Sequence, residues 1–340
     1  MAKSEKIWVA FISLLAAVLS SLPYIIALII QPDGYKFMGF TRNIDDAAVY
    51  LSWIAQAADG NFFITNLFTL EPQNPKQFNI FFLIMGFIQK ITSFSPAVVF
   101  HIFRLLLIFA FVFTAYKFSK LFLNKPSYRK LFIVIICFSS GLGWLINYGV
   151  AGIGSVDLWQ PEAITFLSMY LNPLFLISLI LMIAVFYFLL KFEDEKNLLF
   201  AVKSGICLLL LSNIHTYDVV TIAFVWTIYV ITSCIIDRQI KSYLILGSFI
   251  AALIALPGVG YQYYSIISDA VLYARANTPA FSPPILSYFI GYGLVLFFAL
   301  ITSFIVFKDG LFNAKQVSDS EQLPLTNNMF LIIWSVVGFM

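Results

Sequence analysis

The stretch Asn172-Pro-Leu-Phe-Leu-Ile-Ser-Leu-Ile-Leu-Met-Ile-Ala-Val-Phe-Tyr-Phe-Leu-Leu190 runs through the middle of the chain without a single charged side chain. A helix of this length rises about 28 Å, which nearly matches the hydrocarbon core of a bilayer at about 30 Å. A strand of a membrane β-barrel would show alternating polarity over only about ten residues. The stretch therefore predicts a transmembrane α-helix.

The same pattern recurs along the 340 residues, of which 61% are hydrophobic and only 11% are charged. Apolar runs lie at about 7–30, 97–123, 131–149, 172–190, 198–216, 218–236, 242–258, 285–307 and from 329 onward. A mean hydropathy of +0.92 lies far outside the range of a soluble globular domain. We predict an all-α, polytopic transmembrane bundle, with residues 1–340 as a single multi-pass domain of about nine spans. The last run is about half a span long, so we expect that span to be incomplete.

The apolar segment 78–91 decides the orientation of everything that follows it. If it does not cross, fourteen Lys and Arg residues lie on one side with the N-terminus and six on the other; if it crosses, the division is five and fifteen. Basic residues concentrate on the cytoplasmic side of membrane proteins. We therefore predict a cytoplasmic N-terminus, and a segment 78–91 that lies along the membrane as an interfacial amphipathic helix.

The first outer loop, residues 31–96, is far longer than the usual connection of about 4–6 residues. Within it, Ala47, Leu51, Ile54 and Ala58 recur at helical spacing before the break at Asp59-Gly60. We predict a surface-lying helix here, whose beginning carries the adjacent acids Asp45 and Asp46.

Two accounts of this acidic pair remain open. In the structural account, Asn43 caps the helix and Asp46 lies near the positive end of the helix dipole. In the catalytic account, a carboxylate held beside the membrane takes a proton from a substrate. Neighbouring helix residues diverge by about 100°, so the two carboxylates have different surroundings. We favour Asp46 as the base.

Other polar residues cluster near the predicted outer helix ends. Arg104 and His101, three residues apart on one helix face, are candidates for substrate binding. Arg104 is the candidate for phosphate, because a guanidinium binds phosphate oxygens at two points; the alternative for it is a structural ion pair. Glu162 and His215 are further candidates for substrate binding, and each also suits a helix end or a polar break. The candidates for a metal site, holding a divalent cation such as Mg²⁺ or Mn²⁺, are Asp46, Glu162, His215 and Asp218.

The predicted elements, in order, are a transmembrane anchor, a long outer loop with Asp45-Asp46 and surface helices, and then many spans, with Phe103-Arg104-Leu105 near the start of the span that follows the loop. This order resembles that of the GT-C superfamily of membrane glycosyltransferases. The protein mannosyltransferase and aminoarabinose transferase branch is the nearest comparison. The architecture is similar over most of residues 1–240. The Trp-Trp-Asp type of motif found in oligosaccharyltransferases is absent from the sequence.

This resemblance implies an enzyme that transfers a sugar from a polyprenyl-phosphate donor to an acceptor on the non-cytoplasmic face. It also implies that the acidic residue of the first loop, here Asp45 or Asp46, handles the acceptor, in some members with a divalent metal. We expect membrane lipid and the lipid-linked donor as partners, no nucleic acid, and a place in the plasma membrane with the active site facing outward. A transporter or lipid flippase, and a non-catalytic membrane scaffold, are the alternatives.

Overall fold

A computed structural model describes residues 1–146, 149–150, 153–279, 281–312 and 325–338 of the chain. It is a helical bundle with one small pairing of extended backbone, in which β1 (Gly149–Val150) lies antiparallel to β2 (Ile153–Gly154). The helices are α1 (Lys3–Ile29), α2 (Ile44–Ala58), α3 (Ile80–Thr92), α4 (Pro96–Ser119), α5 (Pro126–Phe138), α6 (Val156–Trp159), α7 (Thr165–Leu171), α8 (Pro173–Glu195), α9 (Leu198–Ile214), α10 (Tyr217–Ile236), α11 (Ser242–Ser268), α12 (Ala270–Ala276), α13 (Ile285–Phe312) and α14 (Leu325–Val337).

Six helices among the described residues are long and apolar enough to cross a membrane: α1, α4, α8, α10, α11 and the part of α13 from Ile285 to Ile305. The chain is therefore an integral, multi-pass membrane protein of the all-α class, as its composition predicted. Three of the nine expected spans form shorter helices, of 13 residues in α5, 17 in α9 and 13 in the described part of α14.

The predicted span at 131–149 is wrong in its second half, because α5 ends at Phe138. Beyond it, the Leu142 amide donates a hydrogen bond to the Ile290 carbonyl of α13 at 2.9 Å. A Cβ on Gly141 would overlap the carbonyl of Gly291, so the two backbones touch where a continuous helix would have placed side chains. Helix α13 is itself interrupted here, at Gly293, whose φ of 48° favours glycine.

Contacts between α1, α4 and α7 define the two ends of the bundle. At the amino-terminal end, the Tyr116 hydroxyl donates to the Glu5 carboxylate at 2.6 Å. At the other end, which we call the loop-1 end, the Tyr24 hydroxyl donates to the Tyr170 carbonyl at 2.6 Å. Helices α1 and α4 are thus antiparallel, and both α4 and α8 begin at the loop-1 end.

Both segments of the long loop in which a surface helix was predicted are helical, and both helices lie at the loop-1 end; their path along the membrane stays a prediction. The two cross closely, since a Cβ on Gly86 of α3 would meet the Ile54 carbonyl oxygen of α2 within 2.8 Å. Of the predicted apolar face of α2, Ala47 and Ile54 are buried. The start of α3 is fixed by Asn79, whose amide group donates to the Ile214 carbonyl at 3.0 Å.

The position of α3 leads to a prediction about topology. At 13 residues, α3 spans about 20 Å, too short for a bilayer, and α4 begins at the same end of the bundle as α3. In a variant without the native cysteines, we expect Lys90→Cys and Lys125→Cys to react with an impermeant thiol reagent from opposite faces. Lys36→Cys and Lys6→Cys serve as controls for the two faces. Labelling of positions 90 and 125 from one face would overturn the arrangement.

Candidate functional site

Four ionisable side chains from separate segments come together at the loop-1 end. Asp46 stands in the first turn of α2, Glu162 in the 3-10 turn Pro161–Ala163, and His215 and Asp218 at the junction of α9 and α10. Although Glu162 is exposed at the surface, desolvation of its carboxyl by the surrounding segments raises the pKa of that group. The charge of His215 opposes that rise, and the carboxylates of Asp46 and Asp218 add to it. Each group thus lies in the electrostatic field of the others.

His215 and Asp218 form the most ordered part of this cluster. The His215 Nδ1 atom lies 3.0 Å from the Asp218 Oδ2 atom. Within the described part of the chain that nitrogen has no well-aligned hydrogen bond, so the pair is in contact without a directed N–H···O bond. Ser178 of α8 donates to the same Asp218 oxygen, and the imidazole packs edge-on against Phe175. The half-buried imidazole is therefore held in place and can carry a proton.

The acidic pair at the start of α2 is exposed, and the predicted cap is correct only in position. Asn43 occupies the N-cap position, but with a φ of 52° it is left-handed and makes no capping bond. Its side-chain amide instead donates to Asp46 Oδ2 at 3.0 Å. The bond fixes one Asp46 oxygen and leaves Oδ1 without a described partner, whereas the Asp45 carboxylate has no described contact at all.

Tyr50 and Asn172 join the cluster, and the sequence interpretation assigned neither to the site. Tyr50 lies one helical turn beyond Asp46 on α2. Burial raises the pKa of its phenol, and the Asp46 and Glu162 carboxylates raise it further against the opposing Asn172 amide. Asn172 caps α8 by accepting a bond from the Leu174 amide at 3.0 Å. The four-residue spacing of Asp46 and Tyr50 was the signal that could have revealed the tyrosine.

The buried Asn172 side chain has one donor that the described residues satisfy incompletely. The residue is 1% exposed, and its Nδ2 atom interacts with the Tyr50 hydroxyl, whose pKa it lowers, without a well-aligned hydrogen bond. A buried donor without a well-aligned acceptor is costly, by as much as about 1–3 kcal/mol. This donor is therefore suited to a hydroxyl or phosphate oxygen of a bound molecule. We refer to Asp46, Tyr50, Glu162, Asn172, His215 and Asp218 together as the polar cluster.

Arg104 lies apart from the polar cluster, inside the bundle. Its side chain is buried, and its guanidinium donates to Ser20 Oγ at 3.0 Å, to Ser21 Oγ at 2.9 Å and to the Met169 carbonyl at 3.0 Å. It also packs over the Tyr24 ring at 5.0 Å. No carboxylate is among its described partners, so the predicted alternative of a structural ion pair is wrong. Arg104 has a structural role, but as a cation whose hydrogen-bond partners are neutral groups.

His101 connects Arg104 to the loop that precedes α2. Arg104 Nε donates to His101 Nδ1 at 3.2 Å, so the other ring nitrogen carries the hydrogen and donates to the Gly39 carbonyl at 2.8 Å. Thr41 is bound to the Tyr170 hydroxyl at 2.5 Å. In this conformation His101, itself bonded to Arg104, fixes Gly39 in the loop that leads to Asp45 and Asp46. Direct contact of either with a substrate stays a prediction.

No group of three or more His, Cys, Asp or Glu side chains among the described residues is arranged to hold a metal ion. Asp46, Glu162, His215 and Asp218 share one end of the bundle but do not form a coordination sphere. A role for Mg²⁺ or Mn²⁺ there stays a prediction. It requires that a bound substrate supply the remaining metal ligands.

An apolar cavity of about 240 Å³ is lined in part by Ala163, the sequence neighbour of Glu162. Its walls come from α5, from the start of α7 and from α13 near the Gly293 interruption. The lining residues are Phe132, Ile135, Ile136, Ser139, Ser140, Ala163, Ile164, Thr165, Gly291, Tyr292 and Val295. The cavity exists because α5 stops at Phe138 and α13 breaks, which leaves space between helices that would otherwise pack together.

Fold and site together define a polytopic helical membrane protein with a polar cluster at one end of the bundle and an apolar cavity beside it. Comparison of the chain with protein-family models, with curated proteins and with solved structures gives no match. Its function is therefore argued from the residues of the cluster and the cavity.

Proposed function

We propose that this protein is a membrane glycosyltransferase of the GT-C type, which moves a sugar from a polyprenyl-phosphate donor to an acceptor at the outer surface of the plasma membrane. The N-terminus is cytoplasmic in this proposal, and the loop-1 end faces outward. The observation that carries it is the meeting of three acids and a histidine from three segments, beside an apolar cavity that begins at Ala163, next to Glu162, and has room for part of a lipid chain. Soluble-substrate chemistry would need the cluster but not the cavity.

The chemistry requires that a bond form between the acceptor oxygen and the anomeric carbon while the bond from that carbon to the phosphate oxygen breaks. Asp46 takes the acceptor proton, and the electron pair of the broken bond leaves with the polyprenyl phosphate. Asp46 has one oxygen free for this role. Asp45 is the alternative base, since it is equally exposed at the same helix end.

The remaining cluster residues suit binding of the sugar phosphate. His215 in its protonated form offers positive charge to the leaving phosphate, the Asn172 Nδ2 donor offers a hydrogen bond, and Glu162 can accept bonds from sugar hydroxyls. Arg104 is the phosphate partner suggested by the sequence, but to reach a ligand it would have to release Ser20 and Ser21. His215 is thus the cation better placed in this conformation.

A transporter or lipid flippase is the second candidate, and the backbone interruptions favour it. Transporters bind substrates where helices are discontinuous, and α13 breaks at Gly293 opposite the end of α5. The acidic residues of the polar cluster, however, lie at one end of the bundle and not at its midplane. A non-catalytic scaffold would retain the helices without needing an incompletely satisfied Asn172 donor.

Reconstituted protein distinguishes these functions in a single preparation. Proteoliposomes receive polyprenyl-phosphate donors with labelled sugars, and both release of free polyprenyl phosphate and movement of the intact donor between leaflets are measured. Sugar transfer with stoichiometric release of polyprenyl phosphate supports the proposal. Movement of intact donor without release would establish the flippase, and neither activity across the donor panel would favour the scaffold.

Filling the cavity should weaken use of the lipid donor. Ala163→Phe places a ring where the proposed chain lies, and exclusion of about two methylene groups at about 0.8 kcal/mol each predicts a KM for the donor about tenfold higher. Ala274→Phe, at an exposed position of α12, is the matched control. An unchanged KM in Ala163→Phe would remove the cavity from the site.

A further inference from the structure

Basic side chains at the amino-terminal end of the bundle are concentrated on one side. The segments 1–8 and 117–130, which form the ends of α1 and α4 and the start of α5, carry seven Lys and Arg residues and one acid. The turn between α8 and α9, residues 191–203 at the same end, carries three of each sign. A general bias toward basic residues on one membrane face would not by itself distribute the charge so unevenly.

The single acid of the basic side is already engaged within the protein. Glu5 is 6% exposed and accepts bonds from the Tyr116 hydroxyl at 2.6 Å and from the Ala2 amide at 2.8 Å. Arg129 pairs with it at 3.1 Å, and Lys120 approaches only to 4.0 Å. Glu5 therefore neutralises one of the seven bases. The lysines Lys3, Lys6, Lys117, Lys125 and Lys130 have no acidic partner among the described residues.

Two of these lysines, Lys117 and Lys130, rest on aromatic rings near exposed apolar side chains. Lys117 lies over the Phe113 ring at 5.0 Å, and Lys130 lies over the Trp8 ring at 5.6 Å. Next to Trp8 and Lys130 in the chain, Ile7 is 61% exposed and Leu131 is 56% exposed. Lysines that rest on aromatic rings near exposed apolar residues match the junction between headgroups and acyl chains.

Trp8 supplies a further binding group at the same place. Its Nε1 atom is buried, and no acceptor for it exists among the described residues. Indole donors at a membrane interface are usually satisfied, because the ring has one apolar end and one polar end. The Lys130 ammonium lies over the same ring, so an anionic headgroup that draws Lys130 toward itself would open the indole N–H to a headgroup oxygen, which would supply the missing acceptor.

We infer that this basic surface, formed by Lys6, Trp8, Lys117 and Lys130, binds the headgroup of an anionic glycerophospholipid. Its three lysines, none of which has an acidic partner among the described residues, supply charge for the phosphate, the Trp8 N–H supplies a hydrogen bond, and Ile7 and Leu131 contact the acyl chains. A soluble polyanion would use the charges but gain nothing from the apolar side chains near them. The site lies at the opposite end of the bundle from the polar cluster and does not depend on the proposed transferase activity.

A titration of the full-length protein in detergent, followed by native mass spectrometry, tests this inference. We expect phosphatidylglycerol to bind at least about tenfold more tightly than phosphatidylcholine. Each lysine near an anionic lipid contributes about fivefold in association, so the triple variant Lys6→Gln, Lys117→Gln, Lys130→Gln should lose this preference. None of the three contacts Glu5, and the matching Lys→Arg triple variant should retain the preference.

The matched control is the triple variant Lys191→Gln, Lys196→Gln, Lys203→Gln, which removes the same charge at the same end but on the α8 and α9 side. It should retain the preference for phosphatidylglycerol to within about twofold. An equal loss of the phosphatidylglycerol preference in both glutamine variants would show that the lipid responds to the overall surface charge and not to a specific site. Equal binding of the two lipids by the native protein would overturn the inference, and so would displacement of phosphatidylglycerol by millimolar inorganic phosphate at constant ionic strength.

Discussion

Asp46→Asn should lower the rate of sugar transfer by about 10²–10⁴, the usual cost of losing a general base, while the protein remains inserted and stable. Asparagine keeps the shape of the side chain. Its amide oxygen can still accept the bond from the Asn43 amide, which Asp46 Oδ2 accepts at 3.0 Å in the native protein. It cannot take a proton from the acceptor hydroxyl. The measurement is single-turnover transfer from a lipid-linked donor in proteoliposomes, together with the midpoint of thermal unfolding in detergent.

The structural account of the acidic pair predicts the opposite result for the same variant. Loss of a favourable charge at the beginning of α2 would cost about 0.3–1 kcal/mol of stability and leave turnover nearly unchanged. Asp45→Asn identifies which carboxylate faces the acceptor. Asp59→Asn, at the other end of α2, is the control and should change neither quantity. Transfer at the parental rate in both Asp45→Asn and Asp46→Asn would leave the transferase proposal without its base.

The positions of the apolar helices in this fold could be predicted from the sequence, because they follow from hydrophobicity. Runs such as 172–190 mark spans because lipid contact demands continuous apolar surface, and the Asn172-Pro173 pair marks a helix start by local chemistry. The surface helix at 78–91 was predicted from the distribution of charged residues outside it. Each of these signals resides in the segment itself or in a sum over the chain.

Features that depend on close contacts between distant segments could not be predicted in this way. Helix α5 ends at Phe138 just before Ser139-Ser140-Gly141, a local break signal, but the close approach of Gly141 to Gly291, 150 residues along the chain, has no local signal in 131–149. The role of Asn43 depended on its left-handed backbone, whereas its residue type favoured a cap. Apolar composition predicts which residues face lipid or the core, but not where two backbones meet.

The site shows the same division. Asp46, Glu162, His215 and Asp218 were named together as candidate ligands of one metal, because each is an ionisable group near a predicted helix end; the structure places all four at one end but not in a coordination sphere. Tyr50 was missed because an aromatic residue on an amphipathic helix is ordinarily explained by packing. Arg104 was chosen because a charge within a span is costly, but that cost applies equally to a cation that binds a ligand and to one that joins helices.

Arg104→Lys separates those two roles of Arg104 and should have the largest effect on stability of any conservative substitution in the chain. The guanidinium makes four hydrogen bonds from three nitrogens, to Ser20, Ser21, the Met169 carbonyl and His101. An ammonium group has three donors on one nitrogen and cannot reach four acceptors spread around a planar fork. Loss of even one or two hydrogen bonds from a buried charged group, at about 1.5–3 kcal/mol each, predicts a destabilisation of about 2–4 kcal/mol.

The unfolding midpoint in detergent and the KM for the lipid-linked donor, measured on one preparation, give the answer for Arg104. If Arg104 joins α1, α4 and α7, the variant unfolds several degrees lower, and His101 loses the donor that fixes its tautomer and its bond to Gly39. If Arg104 binds the phosphate of the donor, the midpoint stays at the parental value and the KM rises. Arg275→Lys, at an exposed position near the end of α12, is the control for the chemical change alone. A parental midpoint in Arg104→Lys would contradict the structural role, because a guanidinium that can be replaced without cost is not holding three helices together.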